Sequence, residues 1–204
     1  EKVFVEENDK AGTIEADKIL VSVGRRPIIK NLGIENLGIK TQGAGVKVNE
    51  HMQTSHPHVY AAGDITGFSL LAHTAYREAE VAIHHILGIP DKMSYKAIPV
   101  VVYTNPELAS VGKTEEELVA NGESFRVQKI PMTYSGRFVA ENENGNGLCK
   151  LITNDEDRII GCHLSEFIVT AGIAVKNGYT VDEFKKNIFP HPTVSEILHE
   201  SLYI

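Results

Sequence analysis

The sequence predicts two small domains in succession, an α/β part followed by an α+β part. Three observations carry that expectation. Val59-Tyr60-Ala61-Ala62-Gly63-Asp64 reads as a short buried strand closed by a glycine and an acid, with a helical pattern after it. Residues 88–96, containing Gly88, Pro90 and Asp91, read as a linker. Beyond the linker, strands come first and helices after, which describes an α+β domain of about a hundred residues.

The elements follow in order. Residues 2–6 alternate like a strand, Asn8-Asp9-Lys10 turns it, and residues 13–23 return as a second strand. Its second half, Ile19-Leu20-Val21-Ser22-Val23, is nearly continuously apolar, as in a strand covered on both faces. Gly24-Arg25-Arg26-Pro27 ends it, either as a solvated turn or as a place where a ligand meets the backbone at Gly24. Residues 31–39 suit a loop with a short helical turn, and residues 46–49 and 59–62 suit strands flanking Gln53-Thr54-Ser55. Across residues 70–87, Leu71, Ala75, Ala79, Ala82, Ile83 and Ile86 recur at helical spacing, and Gly88 closes the helix. Asp64 then has two readings. It is an N-cap aspartate ending a strand, or a carboxylate beside a helix N-terminus that hydrogen-bonds a sugar-like hydroxyl while helix amides take anionic ligand atoms.

In the second part, residues 98–103 and 109–112 read as strands, and Thr114-Glu115-Glu116-Glu117 is a capping box opening a helix to about Asn121. Strands follow at 125–131, 147–153 and 158–164, the last two joined by Asn154-Asp155-Glu156-Asp157. Helices fit residues 166–176, 181–187 and 193–203. A hairpin turning between Asp155 and Glu156 would set Cys149 opposite Cys162 on one face. A disulfide is conceivable there, but two reduced, buried cysteines are the expectation. Cys162-His163-Leu164-Ser165-Glu166 enters its helix without a turn residue, whereas strand-to-helix loops run about 2–6 residues, so about four to eight residues are expected to be missing or deleted between His163 and Ser165.

Composition excludes several classes. A net charge of -7 and a pI near 5.7 argue against a nucleic-acid or membrane surface. No apolar run approaches the roughly 20 residues of a membrane span, and no secretory leader is visible. Two cysteines make no disulfide framework, so a reducing cytoplasm is expected. No metal-ligand set stands out. The opening on Lys2-Val3-Phe4-Val5 without a starting Met leads us to expect a piece of something longer. Gly43-Ala44-Gly45 and Gly145-Asn146-Gly147 fall in loops and lack the third glycine of a dinucleotide fingerprint. Cys149 and Cys162 lie too far apart in sequence for a redox-active pair.

Four stretches together carry a resemblance: Val21-Ser22-Val23-Gly24-Arg25-Arg26-Pro27; Val59 to Asp64 with Leu70-Leu71-Ala72-His73; Val102-Tyr103-Thr104-Asn105-Pro106-Glu107; and His191-Pro192-Thr193-Val194-Ser195-Glu196. In this order they resemble the flavin-dependent pyridine-nucleotide disulfide oxidoreductases, and within that family the dihydrolipoamide dehydrogenases. The similarity covers essentially the whole chain but only the carboxyl-terminal portion of a family member. It implies that residues 1–23 are the tail of the NAD-binding domain and 24–95 the carboxyl-terminal part of a Rossmann-like FAD-binding domain. Residues 96–204 would then be an interface domain that makes a homodimer.

The same resemblance implies cofactor contacts at Asp64, to the ribityl chain of FAD, and at Leu70, Leu71, Ala72 and His73, along the pyrimidine side of the flavin, with Gly24 nearby. It implies that His191 is the acid–base of the full enzyme, acting on the disulfide of the other subunit, with Glu196 as its orienting partner. Chemistry suits the roles, because a dithiol must lose a proton before its thiolate attacks, and a carboxylate on the second imidazole nitrogen sets the tautomer. On its own pattern, however, Thr193-x-x-Glu196 is also a capping box. The implied partners are NAD and the lipoyl group of a 2-oxo acid dehydrogenase or glycine cleavage complex. The fragment alone is expected to be inactive and not to retain FAD.

Overall fold

A computed structural model describes every residue except Asp9, Asn144 and Glu166. The chain divides into two compact units, residues 1–93 and 94–204.

In the first unit, β1 (Lys2–Glu7) and β2 (Lys10–Glu15) pair antiparallel from Lys2↔Glu15 to Glu7↔Lys10. The turn expected between them includes Asp9, which lies outside the described residues. Strand β2 ends at Glu15, and residues 19–23 are irregular, with Leu20 92% exposed. The expected long strand does not form because, among the described residues, none pairs with this segment, and a strand exists only where its backbone groups are bonded. A 3-10 turn at Ile34–Leu37 precedes β3 (Thr41–Gln42) and β4 (Gly45–Val46), which form a minimal hairpin. The strand expected at 59–62 reduces to a single bridge, Gln53↔Tyr60.

Helix α1 (Ala72–Ile86) is the long element of this unit. Its buried residues are Thr74, Glu78, Val81 and Ala82, a stripe at i, i+4, i+7 and i+8. That stripe is rotated from the expected one, which leaves Ile83 and Ile86 more than half exposed. The cause is a small apolar core (Met52, Val81 and Ala82 with Val48, Tyr60 and Met93 against it) combined with a polar anchor at Glu78. The linker is tied down rather than loose. Asp91 accepts hydrogen bonds from Arg77 and from His84 Nδ1 (2.7 Å), and the Met93 amide donates to the Glu50 carbonyl at 2.8 Å. Arg77, then His84, hold the Asp91 carboxyl well below the usual carboxylate range.

The second unit is built on a five-stranded antiparallel sheet. Its elements run β5 (Val100–Val102), β6 (Leu108–Gly112), α2 (Glu115–Ala120), β7 (Arg126–Pro131), α3 (Gly136–Glu141), β8 (Leu148–Thr153), β9 (Ile159–Leu164), α4 (Ile168–Asn177), α5 (Val181–Phe184) and α6 (Glu196–Glu200). The spatial order is β5-β6-β9-β8-β7. Ile168, Ala171 and Ala174 of α4 join Val111, Leu151 and Cys162 of the sheet, with Ile197, Leu198 and Leu202, in one apolar core. Helix α3 and the 3-10 turn before it, Met132–Tyr134, have no counterpart in the sequence reading. Apart from Met132 and Phe138 they bring little apolar patterning to the core.

The expected pairing of β8 with β9 changes. The turn and a one-residue bulge between Ile152 and Thr153 together put the register two residues from the expected one, so that Leu151 pairs with Cys162 and Lys150 with His163. A shift of two keeps both cysteines on the same face, but Cys149 is diagonal to Cys162 rather than opposite it. Both are free and fully buried. After β9, the Ile168 amide at the start of α4 is bonded to the Ser165 carbonyl at 3.0 Å. The expected helix start at Glu166 lies outside the described residues.

Candidate functional site

The first constellation lies between β4 and α1. Gly63 takes φ 84° and ψ −157°, a conformation essentially reserved for glycine, and Gly67 lies in the left-handed region at φ 75°. Between them, Asp64–Thr66 makes one 3-10 turn. Asp64 is thus not the N-cap of α1; that position is Leu71, which caps with no side chain. The Asp64 carboxylate is exposed and, among the described residues, takes no hydrogen bond or ion pair. The turn itself is held on several sides. The Gly63 amide donates to Glu78 Oε2 at 2.5 Å, and the Gly63 carbonyl accepts from Thr66 Oγ1 at 2.9 Å. Gly45 passes so close that a Cβ there would lie 2.3 Å from the Thr66 carbonyl oxygen.

The neighbouring predicted residues collect around this turn. A Cβ on Gly67 would touch the Pro27 ring at 3.4 Å, which brings the Gly24-to-Pro27 stretch alongside. Gly24 itself takes φ 89° with open space where a side chain would stand. Leu70, Ala72 and His73 are exposed and Leu71 is half-buried at the start of α1, whose first turn carries no acidic residue. An exposed carboxylate and an uncapped helix N-terminus suit one ligand that presents both hydroxyls and a partial negative charge. These residues fit a flavin with its ribityl chain.

The second constellation lies between α5 and α6. The His191-Pro192 peptide is cis, and the Thr193 hydroxyl donates to the Pro190 carbonyl at 2.7 Å. The Thr193 carbonyl accepts from the buried Ser135 hydroxyl at 3.1 Å. Helix α6 then begins at Glu196 itself, with no side-chain cap. Glu196 turns its carboxylate to the histidine, with Oε2 2.8 Å from His191 Nδ1. The histidine side chain is 80% exposed and that of Glu196 only 12%. The capping box that Thr193 and Glu196 spell in sequence is not formed. What forms is an imidazole held at one nitrogen by a shielded carboxylate, with its other nitrogen facing outward.

Sequence reasoning missed Glu78, Thr66 and Ser135, which shape these two places without facing outward. Glu78 had a readable signal, since it is the one charged residue on the stripe formed by Thr74, Val81 and Ala82. Cys149 and Cys162 lie in the apolar core of the second unit. The Cys162 thiol is pushed up, first by its hydrogen bond with Cys149 and then by burial, which makes it a packing group rather than a nucleophile. Among the described residues no helix is long and apolar enough to cross a membrane, and no cluster of three or more His, Cys, Asp or Glu could hold a metal ion.

A tight Gly-Asp turn under an uncapped helix, followed by an antiparallel interface-type domain that carries a His–Glu pair, points to a flavoprotein disulfide oxidoreductase. Comparison agrees: the family pyridine nucleotide-disulphide oxidoreductase matches residues 1–83, and its dimerisation domain matches residues 98–202. The chain belongs to this family. It is similar to dihydrolipoyl dehydrogenase 3 of Pseudomonas putida, 39% identical over 94% of this chain and 42% of that protein. It is equally similar to dihydrolipoyl dehydrogenase of Geobacillus stearothermophilus, 39% identical over 98% of this chain and 44% of that protein. Among solved structures, LpdA from Mycobacterium tuberculosis superposes with a TM-score of 0.87 at 27% identity, over 98% of this chain and 45% of that one. The HOCl-induced flavoprotein disulfide reductase RclA from Escherichia coli gives 0.80 at 25% identity, over 98% of this chain and 48% of that one. The chain spans less than half the length of these relatives.

Proposed function

We propose that this chain is the carboxyl-terminal portion of a dihydrolipoyl dehydrogenase that uses FAD and NAD, and that it supplies part of the flavin site, the dimer interface and the acid–base pair. The observation that carries the reading is the 2.8 Å contact between His191 Nδ1 and Glu196 Oε2, with the imidazole exposed and the carboxylate shielded. Glu196 accepts the Nδ1 proton and leaves the Nε2 lone pair outward. Nε2 takes the proton of the substrate dithiol, so that the thiolate, the attacking species, forms beside it. The disulfide it attacks lies outside this chain, since Cys149 and Cys162 are buried in the sheet core. FAD, when bound, would supply the two-electron chemistry between the dithiol and NAD. Asp64 would hold it through a ribityl hydroxyl, and the α1 N-terminus would favour negative charge on its pyrimidine side.

The homodimer, with His191 of one subunit serving the disulfide of the other, belongs to the same proposal. So do the lipoyl group of a 2-oxo acid dehydrogenase or glycine cleavage complex as substrate, and a cytoplasmic setting. The superposition on RclA favours, as the second reading, another disulfide reductase of the family.

His191→Gln in the full-length enzyme is the test. Dithiol-driven NAD reduction should fall by about 10²–10⁴-fold, the usual worth of a positioned acid–base, with flavin content unchanged. Near-normal turnover would remove His191 from the mechanism. Wild-type enzyme that reduces NAD with another dithiol but not with dihydrolipoamide would favour the second reading.

A further inference from the structure

We propose that Glu78 is a positioning residue for the flavin site, holding the Gly63 peptides in the one orientation from which Asp64 meets its ligand. The inference rests on the reading of Asp64 as a flavin contact. Glycine is the residue with most backbone freedom to lose, so a site hung on Gly63 needs an external restraint. Glu78 restrains the peptide before Gly63 by accepting its N–H at 2.5 Å, and Thr66 restrains the peptide after it by donating to its carbonyl. The second of those peptides carries the amide of Asp64, so the two bonds together set the direction in which Asp64 leaves the backbone.

Burial sharpens the case. Glu78 is fully buried on the inward stripe of α1. A carboxylate out of water costs free energy that an apolar side chain of the same length would not. What the acid adds over such a side chain is a directional, charge-assisted acceptor. The close pass of Gly45 behind Thr66 removes the space into which the turn would relax. Glu78 is a positioning residue, and it acts on the site through the Gly63 amide.

The test uses the full-length flavoprotein with glycine amides labelled for hydrogen exchange by NMR, together with flavin release on dilution. Glu78→Met keeps the length and removes the acceptor; it should speed exchange of the Gly63 amide at least tenfold and weaken flavin retention about tenfold. Glu78→Gln restores a neutral acceptor; it should hold flavin within threefold of wild type while speeding Gly63 exchange about fivefold. Wild-type exchange and retention in Glu78→Met would overturn the proposal. If that variant does not fold, unchanged Gly63 exchange in Glu78→Gln overturns it instead. Asp64→Ala separates the underlying reading. It should weaken flavin retention at least tenfold with Gly63 exchange unchanged, and wild-type retention there overturns the Asp64 reading whatever Glu78 does.

Discussion

His163 shows how a single residue can carry a readable energetic signature. It sits in β9 opposite Lys150 of β8, and its Nδ1 is buried with no hydrogen-bond partner among the described residues. Burial, then the Lys150 ammonium, holds its pKa below the ordinary value, only partly offset by Glu116 and Glu115 of α2. The unfolded chain therefore binds this proton more readily than the folded one. Above about pH 6.5 both states are neutral and stability is full; as pH falls below that, the unfolded state charges first and stability drops. Glu50 and Glu115, whose pKa values their lysine partners lower, lose stability only at more acid pH, near the ordinary glutamate range and below. The expected outcome is a melting temperature that declines from pH 7.5 to 5.5, and less steeply in His163→Val. Equal slopes for the two proteins would show that His163 does not carry the effect. At this scale the family resemblance, not local pattern, singled out His191 and Glu196, and folding supplied the contact between them. Glu78 was not recognised, because its partner is a backbone amide fifteen residues away.

At the scale of elements, one sequence pattern met three fates. Thr114-x-x-Glu117 and Thr180-x-x-Glu183 both form the reciprocal capping box, each hydroxyl accepting from an amide at 3.2 Å. Thr193-x-x-Glu196 has the same letters and forms none. Its hydroxyl donates to the Pro190 carbonyl, its helix starts at Glu196, and the acid turns to His191. Thr180→Ala should then cost about 1 kcal/mol, a fall of about 2–4 °C in melting temperature for a chain of this size. Thermal unfolding checks it, and no change would show that the four-residue α5 is held by packing of Phe184 alone. The sheet order shows the same dependence on distant partners. Each strand of the second unit was expected from the sequence, yet the register of β8 on β9 was set by the turn and a one-residue bulge that the pattern does not encode.

For the whole molecule, the apolar surface that remains uncovered decides the expectations. Ile188 is 96% exposed three residues before His191, and Tyr103, Leu108, Val169 and Ile173 are exposed in the same unit. Exposed apolar groups of this size mark interaction surfaces, and the unit matches a dimerisation domain. The chain should therefore be a dimer in light scattering at micromolar concentration, and Ile188→Asp should shift it toward monomer. A wild-type monomer throughout dilution would refute the interface. The same preparation should be colourless, because Asp64 and the start of α1 offer a flavin only part of its contacts, and stoichiometric yellow flavin would contradict that.

Much of this protein was determined by its sequence alone: the two-part architecture, the capping box at Thr114 and the Gly-Asp pair before a helix. Each depends on interactions between residues close in the chain, where backbone geometry and side-chain period leave few alternatives. The tertiary structure alone decided which face of α1 is buried, whether residues 19–23 become a strand, how Cys149 lies against Cys162, and which group receives the Glu196 carboxylate. Those outcomes turn on partners brought together by folding. A buried polar group or an unpaired backbone is satisfied by whatever lies beside it in space, and position along the chain does not say what that will be.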